Sequence, residues 1–239
     1  MLETKDLTIR FGGHVAVNAV SCAFAPGTLT AIVGPNGAGK TTYFNLISGQ
    51  LKASSGTVRL NGRDLSALGV SARTHAGLGR AFQLTNLFPN LSVRENVRLA
   101  VQATRVGSHR HGLNLWSIWS DHHGLTSRAD DILMAVSMKD KELSTVASLP
   151  HGDQRKLEVA LLIALDPKVY MFDEPTAGMS VDEVPVLLDL IRGLKRRKDI
   201  VILLVEHKMD VVRELADRIV VLHNGQLVAD GEPAAVIAS

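Results

Sequence analysis

The sequence predicts an α/β fold: a core of alternating strands and helices, an N-terminal antiparallel β subdomain, and an inserted α-helical subdomain. Three observations predict it. Short apolar runs alternate with helical patterns at both ends of the chain. Turn signals divide the N-terminal third into strands. A mostly helical stretch then interrupts this order, which puts the core at residues 1–83 and 157–239 and the helical insertion at 84–156.

Residues Leu2 to Phe24 alternate well enough for two or three strands, with Leu7, Ile9 and Phe11 on one face and Val15, Val17 and Ala19 on another. Phe11-Gly12-Gly13 and Pro26-Gly27 are turn signals. Leu29 to Val33 is an apolar strand, and Thr42 to Ser48 a helix that stops at Gly49. Thr57 to Leu60 and the residues after Asn61-Gly62 read as a hairpin, because Asn-Gly suits a tight type I′ turn. Gly77 to Phe82 is extended and ends at Gln83.

Ser92 with Glu95 three residues on has capping-box spacing and opens a helix toward Arg105. Ser127 to Met138 is helical, with Ile132, Leu133 and Val136 on one face. Asp153 to Leu165 is a helix with the stripe Leu157, Ala160, Leu161 and Ala164, stopped by Asp166-Pro167. Val169 to Phe172 is a buried strand ending at Asp173-Glu174-Pro175. Val181 to Arg197 is helical, and its basic end Lys195-Arg196-Arg197-Lys198 suits the helix dipole. Ile200 to Val205 is a buried parallel-type strand ending at Glu206-His207. A helix over Lys208–Ala216, a hairpin about Asn224-Gly225 and a short helix from Pro233 close the chain.

Between the strand at 29–33 and the helix at 42–48 lies Gly34-Pro35-Asn36-Gly37-Ala38-Gly39-Lys40-Thr41, followed by Thr42. It fits the P-loop pattern in its required strand–loop–helix context. The glycines keep side chains away, so that backbone N–H groups turn inward around phosphate oxygens. The positive end of the following helix points at the same anion. Lys40 supplies a point charge for the outer phosphates, and Thr41 a hydroxyl for Mg²⁺, which takes hard oxygen ligands. The core is therefore read as a P-loop NTPase core that uses a nucleoside triphosphate with Mg²⁺.

Composition bounds the remaining classes. The chain has 239 residues, 46% apolar content and a net charge of +2 with no long basic tail, so nucleic-acid binding is not suggested. A single cysteine, Cys22, excludes a disulfide framework within the chain. No apolar run approaches the roughly 20 residues of a membrane span, and no signal-peptide pattern opens the chain, so a soluble protein is expected whose membrane role would come through a partner. The stretch 107–124 holds His109, His111, His122, His123, Trp116 and Trp119. It has no nearby cysteine and no zinc-ligand spacing, and reads as a surface insertion rather than a metal site. His14, His75 and His223 are treated as structural or exposed.

In open α/β sheets, ligands sit beyond the carboxyl ends of the strands. Asp173 is placed to bind Mg²⁺. Glu174, facing the other way if strand alternation persists, could polarise an attacking water. His207 could orient that water or bond the γ-phosphate, and Gln83 could reach metal or water.

Phe172-Asp173-Glu174-Pro175, Gln83 after Arg80-Ala81-Phe82, and Glu206-His207 resemble the Walker B, Q-loop and H-loop motifs of ATP-binding-cassette (ABC) ATPases. Phe11 falls where that family has an aromatic that stacks on adenine. Leu149-Pro150-His151-Gly152-Asp153-Gln154 takes the place of the Leu-Ser-Gly-Gly-Gln signature, and Thr176-Ala177-Gly178-Met179-Ser180 that of the D-loop. The resemblance covers essentially the whole chain. More narrowly, Phe11-Gly12-Gly13, Gln83-Leu84-Thr85-Asn86-Leu87-Phe88-Pro89 and Thr176-Ala177-Gly178-Met179 look like the ATP-binding subunits of branched-chain amino acid importers. Importers of urea, amides or aromatic acids, and lipopolysaccharide-export ATPases, share such features.

The resemblance implies that two ATPase subunits close head-to-tail around ATP, each nucleotide lying between one P-loop and the other chain's signature. Closure would pass to transmembrane permease subunits, whose cytoplasmic helix would dock near Gln83–Pro89. The chain would then lie at the cytoplasmic face of the membrane, served indirectly by a solute-binding protein. The signature serine is replaced by Pro150, which lacks both N–H and hydroxyl, and the next glycine by His151. Proline suits the first turn of a helix, so the helix should survive. The usual D-loop aspartate is Ser180. A heterodimer with one weaker ATP site is expected, a homodimer being the alternative. The competing functions are a nucleotide-dependent interaction subunit with weak hydrolysis and the ATPase of a related exporter. A P-loop GTPase is disfavoured by the lack of an Asn-Lys-x-Asp motif.

Overall fold

The computed structural model describes residues 1–81, 87–106 and 122–238. In chain order its strands are β1 (Leu2–Phe11), β2 (His14–Phe24), β3 (Leu29–Val33), β4 (Ser55–Leu60), β5 (Arg63–Asp64), β6 (Leu78–Ala81), β7 (Val169–Asp173), β8 (Val201–Val205), β9 (Arg218–His223) and β10 (Gln226–Gly231). Its helices are α1 (Lys40–Ser48), α2 (Val70–His75), α3 (Val93–Val106), α4 (His122–Ala135), α5 (His151–Leu165), α6 (Val184–Lys195), α7 (Met209–Leu215) and α8 (Pro233–Ile237). The chain forms two compact units, residues 1–80, 167–175 and 191–239 in one, and 81–166 with 176–190 in the other.

The first unit holds both sheets. An antiparallel sheet runs in the order β2-β1-β4-β5, and a six-stranded, mostly parallel sheet in the order β10-β9-β3-β8-β7-β6. β7 and β8 are buried at every residue, as strands covered on both faces must be. Asn61 and Gly62 take φ of 50° and 80°, the left-handed pair that a type I′ turn requires.

Simple alternation in the first two strands does not hold. The β1–β2 register shifts between Thr4 and Leu7, Leu7 and Ile9, and Ile9 and Arg10. Leu7, Thr8 and Ile9 are consequently all buried, while Phe11 is 51% exposed rather than sharing their face. Each irregularity inserts or removes a residue and so turns the following side chains over.

Helix α1 packs Tyr43, Phe44, Leu46 and Ile47 into one cluster with Phe24, Ile32, Met171, Leu203 and Val220. The Tyr43 hydroxyl is 2.7 Å from Thr4 Oγ1, so burial leaves it bonded. Left-handed glycines, Gly39 and Gly49, flank α1 at its two ends. Its last carbonyls are met by a cation from a helix that the sequence reading did not foresee. Arg73 of α2 is buried and donates from one nitrogen to Leu46 O and Ile47 O, each at 2.6 Å. It also donates to Leu68 O at 2.9 Å and Ser66 O at 3.2 Å. α2 spans only six residues and lacks a clear apolar period, so its existence rests on this anchor rather than on propensity.

The second unit is helical. Val93, Val97, Ile132, Leu133, Leu157 and Ala160 meet in its core. Ser92 Oγ accepts the Glu95 N–H at 3.2 Å, one half of the expected capping box. The other half is replaced, because the Glu95 carboxylate pairs with Arg98 at 2.9 Å. α4 begins at His122, earlier than the expected Ser127, and α6 runs from 184 to 195 rather than from 181 to 197. On α5 it is Leu162 that is buried, with Leu161 only partly so. Gln83 and the segment 107–121 lie outside the described residues. Among the described residues no helix is long and apolar enough to cross a membrane.

Replacing Arg73 by Met should leave two helix-end carbonyls buried and unbonded. Urea unfolding should show a loss of about 2–4 kcal/mol. A loss under about 0.5 kcal/mol, the scale of an ordinary surface substitution, would remove Arg73 as the anchor of α1.

Candidate functional site

Strand register assembles the site. Val205 at the end of β8 is level with Ile32 of β3 on one side and Asp173 of β7 on the other. Three strands thus end in one row, and the chain that follows each opens on the same edge: Gly34 after β3, Glu174 after β7, Glu206-His207 after β8. That is where an open α/β sheet binds ligands.

The loop after β3 is forced into shape by its glycines. Gly34 sits at φ +146°, and a Cβ there would fall 2.0 Å from Leu222 O. Gly39 sits at φ +95°, and a Cβ would fall 2.6 Å from Ala16 O. No L side chain satisfies either condition. The Ala38 carbonyl accepts from Gly225 N–H at 3.0 Å, so the β9–β10 turn braces the loop. α1 starts at Lys40 without a side-chain cap, which leaves its first N–H groups directed at the loop. Lys40 is 5% exposed and donates to Gly34 O at 2.7 Å and Pro35 O at 2.9 Å. Burial pulls its ammonium below the usual lysine range, while the Glu174 and Asp173 carboxylates oppose that shift.

A cleft of about 400 Å³ is lined by residues 36–42 of the loop and α1, His14 and Ala16 of β2, Glu174 and His207. Glu174 does not continue the strand alternation. Its φ of +49° places it in the left-handed region, with its N–H donating to Val205 O at 2.9 Å. This kink brings its Oε1 to 2.7 Å from His207 Nε2, both side chains partly exposed.

Asp173 is buried and accepts from Arg80 Nη2 at 2.6 Å. The other terminal nitrogen of Arg80 donates to Asn45 Oδ1 at 2.7 Å, Gln50 Oε1 at 2.9 Å and Ser48 Oγ at 3.0 Å. The sequence reading gave Arg80 no role of its own and took His14 as structural or exposed, not as part of the site. The available signals were a charged residue in an otherwise apolar extended run, Leu78 to Phe82, and a polar residue following the Gly12-Gly13 turn. Phe11 is paired with His14 in the β1–β2 register but does not itself line the cleft. Gln83 lies outside the described residues.

The signature-like segment belongs to the helical unit. Pro150 occupies the cap position of α5, with φ −57° and ψ 156°, rather than the first turn. Its carbonyl accepts the first helical bond from Gln154 N–H at 3.0 Å, so its missing N–H costs the helix nothing. Gln154 Nε2 donates to Leu149 O at 3.0 Å. His151 is exposed, and its ring borders Gly178. Asp153 turns inward and pairs with Lys141 and, at 3.2 Å, with Lys156. Gly152 is buried against the Glu183 carboxylate, and a Cβ there would fall 2.0 Å from Glu183 Oε1. Glu183 also accepts from the Ser180 N–H at 3.1 Å and its hydroxyl at 3.0 Å.

Comparison with known proteins gives the family. A family model described as ABC transporter matches residues 17–177, more than half of the chain. The chain is 35% identical over 234 residues to the high-affinity branched-chain amino acid transport ATP-binding protein LivG of Escherichia coli (strain K12), covering 98% of this chain and 92% of LivG. It is 34% identical over 242 residues to the corresponding protein BraF of Pseudomonas aeruginosa, with the same coverage of 98% and 92%. Among solved structures, a nucleotide-free ATP-binding cassette from an ABC transporter superposes with a TM-score of 0.82 at 26% identity, covering 100% of this chain and 95% of that one. The ADP conformation of the cassette MJ1267 gives 0.81 at 27% identity, covering 100% and 93%.

Gly34→Ala combines a disfavoured φ with a backbone collision. It should destabilise the chain by about 3 kcal/mol or more, seen as a lowered thermal midpoint. An unchanged midpoint would show that the loop relaxes freely and that the glycine is not demanded by packing.

Proposed function

Since the chain belongs to the ABC transporter family and is an ATPase of it, we propose that it drives import of branched-chain amino acids, or of a related small polar solute. The solute is proposed on the strength of LivG and BraF, whose names carry it. The observation that carries the catalytic assignment is the Glu174–His207 pair, 2.7 Å apart on the cleft that the P-loop lines.

ATP binds with its phosphates against the N–H groups of residues 36–42 and the N-terminus of α1. Lys40 contributes its charge to the outer phosphates, and Phe11, exposed at the end of β1, is available to stack on adenine. Thr41 and Asp173 are hard oxygen donors suited to Mg²⁺, with Gln83 as a further oxygen. The fit rests on Asp173, which spends one oxygen on Arg80 and has no hydrogen bond to the other among the described residues. When bound, Mg²⁺ neutralises charge building on the phosphate oxygens. Glu174 takes the proton from the attacking water as the γ-phosphoryl group leaves ADP, and His207 holds the Glu174 carboxylate in position.

Full assembly is proposed with a second ATPase subunit and transmembrane permease subunits, at the cytoplasmic face of the membrane and served by a solute-binding protein. Leu149, Pro150, His151, Gly152 and Gln154 would face the partner's nucleotide, whereas Asp153 stabilises the start of α5. Pro150 supports a heterodimer with unequal sites, because it offers a phosphate neither N–H nor hydroxyl. The same residue favours a second reading, in which this chain regulates a partner and one of the paired sites hydrolyses weakly.

In the complex with its co-purifying membrane subunits, Glu174→Gln should cut ATP turnover by about 100-fold or more while leaving ATP binding intact. Turnover within twofold of the wild type would sink the catalytic assignment. Pro150→Ser should restore a hydrogen bond to a charged phosphate and raise turnover by about tenfold. If turnover is unmoved, the unequal-site reading is lost.

A further inference from the structure

We propose that Arg80 is a positioning residue that fixes the Asp173 carboxylate relative to the P-loop helix, so that one carboxylate oxygen is presented to a divalent cation. The inference rests on the reading of Asp173 as the metal-side carboxylate.

The geometry is specific to a guanidinium. Arg80 is a planar fork, and it uses the two terminal nitrogens on different elements. Nη2 takes Asp173 Oδ2 at 2.6 Å, a short charge-assisted bond at the end of β7. Nη1 takes Asn45 and Ser48 of α1 and Gln50 just beyond it, at 2.7, 3.0 and 2.9 Å. The guanidinium carbon lies 5.3 Å from the centre of the Phe44 ring, also on α1. Every acceptor but Asp173 therefore comes from α1 or its immediate continuation, and α1 begins with Lys40 and Thr41. Arg80 ties the Asp173 carboxylate to the same rigid body that carries the phosphate-binding lysine and the threonine hydroxyl.

Stability alone is a poor reason for this arrangement. Both partners are 7% exposed, and the desolvation cost of a buried ion pair offsets much of its attraction. What the pair secures is orientation. With Oδ2 engaged, Oδ1 is the oxygen left for a cation, and the carboxylate cannot rotate without breaking a charge-assisted bond. A lysine would keep the charge but could not serve both elements through two nitrogens.

The test is Mg²⁺ titration of fluorescent ATP-analogue binding to the full-length chain, with binding in EDTA measured beside it. Arg80→Met should raise the Mg²⁺ concentration at half-maximal binding by about tenfold, the scale seen when a residue behind a metal ligand is removed. Binding in EDTA should stay within twofold of wild type, because the P-loop is untouched. Arg80→Lys should recover part of the shift. Asp173→Asn should shift the midpoint at least as far, and adding Arg80→Met to it should produce no further change. If Asp173→Asn leaves the midpoint in place, the metal-side reading of Asp173 fails and this inference with it. If Asp173→Asn shifts it and Arg80→Met does not, the inference alone is overturned. Should Arg80→Met fail to fold, Gln50→Leu removes one acceptor from Nη1. A twofold to threefold shift in the same direction is then expected, and no shift with either Gln50→Leu or Arg80→Lys overturns the role of Arg80.

Discussion

The parallel pairing of β3, β8 and β7 is the constraint on which the remaining chemistry depends. Because Ile32, Val205 and Asp173 share one row, three chain segments far apart in sequence leave the sheet at the same edge. A slip of one residue in either pairing would turn Asp173 or the residues before Gly34 to the opposite face of the sheet. The continuous burial of β7 and β8 resists such a slip, since each strand is packed on both sides.

Rigidity around that edge comes from buried polar contacts as much as from apolar packing. Arg73 satisfies the carbonyls near the end of α1, and Arg80 bonds the side chains of Asn45 and Ser48 in the same half of that helix. Gly225 holds the loop that precedes it. α1 is thereby fastened through its second half, while a separate contact braces the loop before it. Preorganised N–H groups and charges act without reorganisation at the moment of reaction, which is where such sites gain their rate.

In the helical unit the start of α5 tolerates proline because a cap residue has extended geometry and no helical N–H duty. The same position loses the hydroxyl that a serine would offer a phosphate. A side chain at Gly152 would have to displace the Glu183 carboxylate, which stands against it. Glu183 thus touches both Gly152 and Ser180, and the His151 ring borders Gly178, so the two segments are in contact.

Local chemistry made much of this protein legible in one dimension. The P-loop spacing, the Asn61-Gly62 and Asn224-Gly225 turns, the apolar strands before Gly34, Asp173 and His207, and the helix read at 153–165 each depend on residues close in sequence. They follow from steric and hydrogen-bonding rules that act over a few residues. Family resemblance then drew Phe11, Gln83 and the signature segment into one expectation. The tertiary structure decided what depends on distant neighbours: the shifted register that exposes Phe11, the left-handed turn that swings Glu174 onto His207, and the short α2 held by Arg73. It also decided the partners of Arg80. No spacing rule joins residues 45, 48, 50, 80 and 173, because the fork of one guanidinium is satisfied only after the strand and the helix have been packed together.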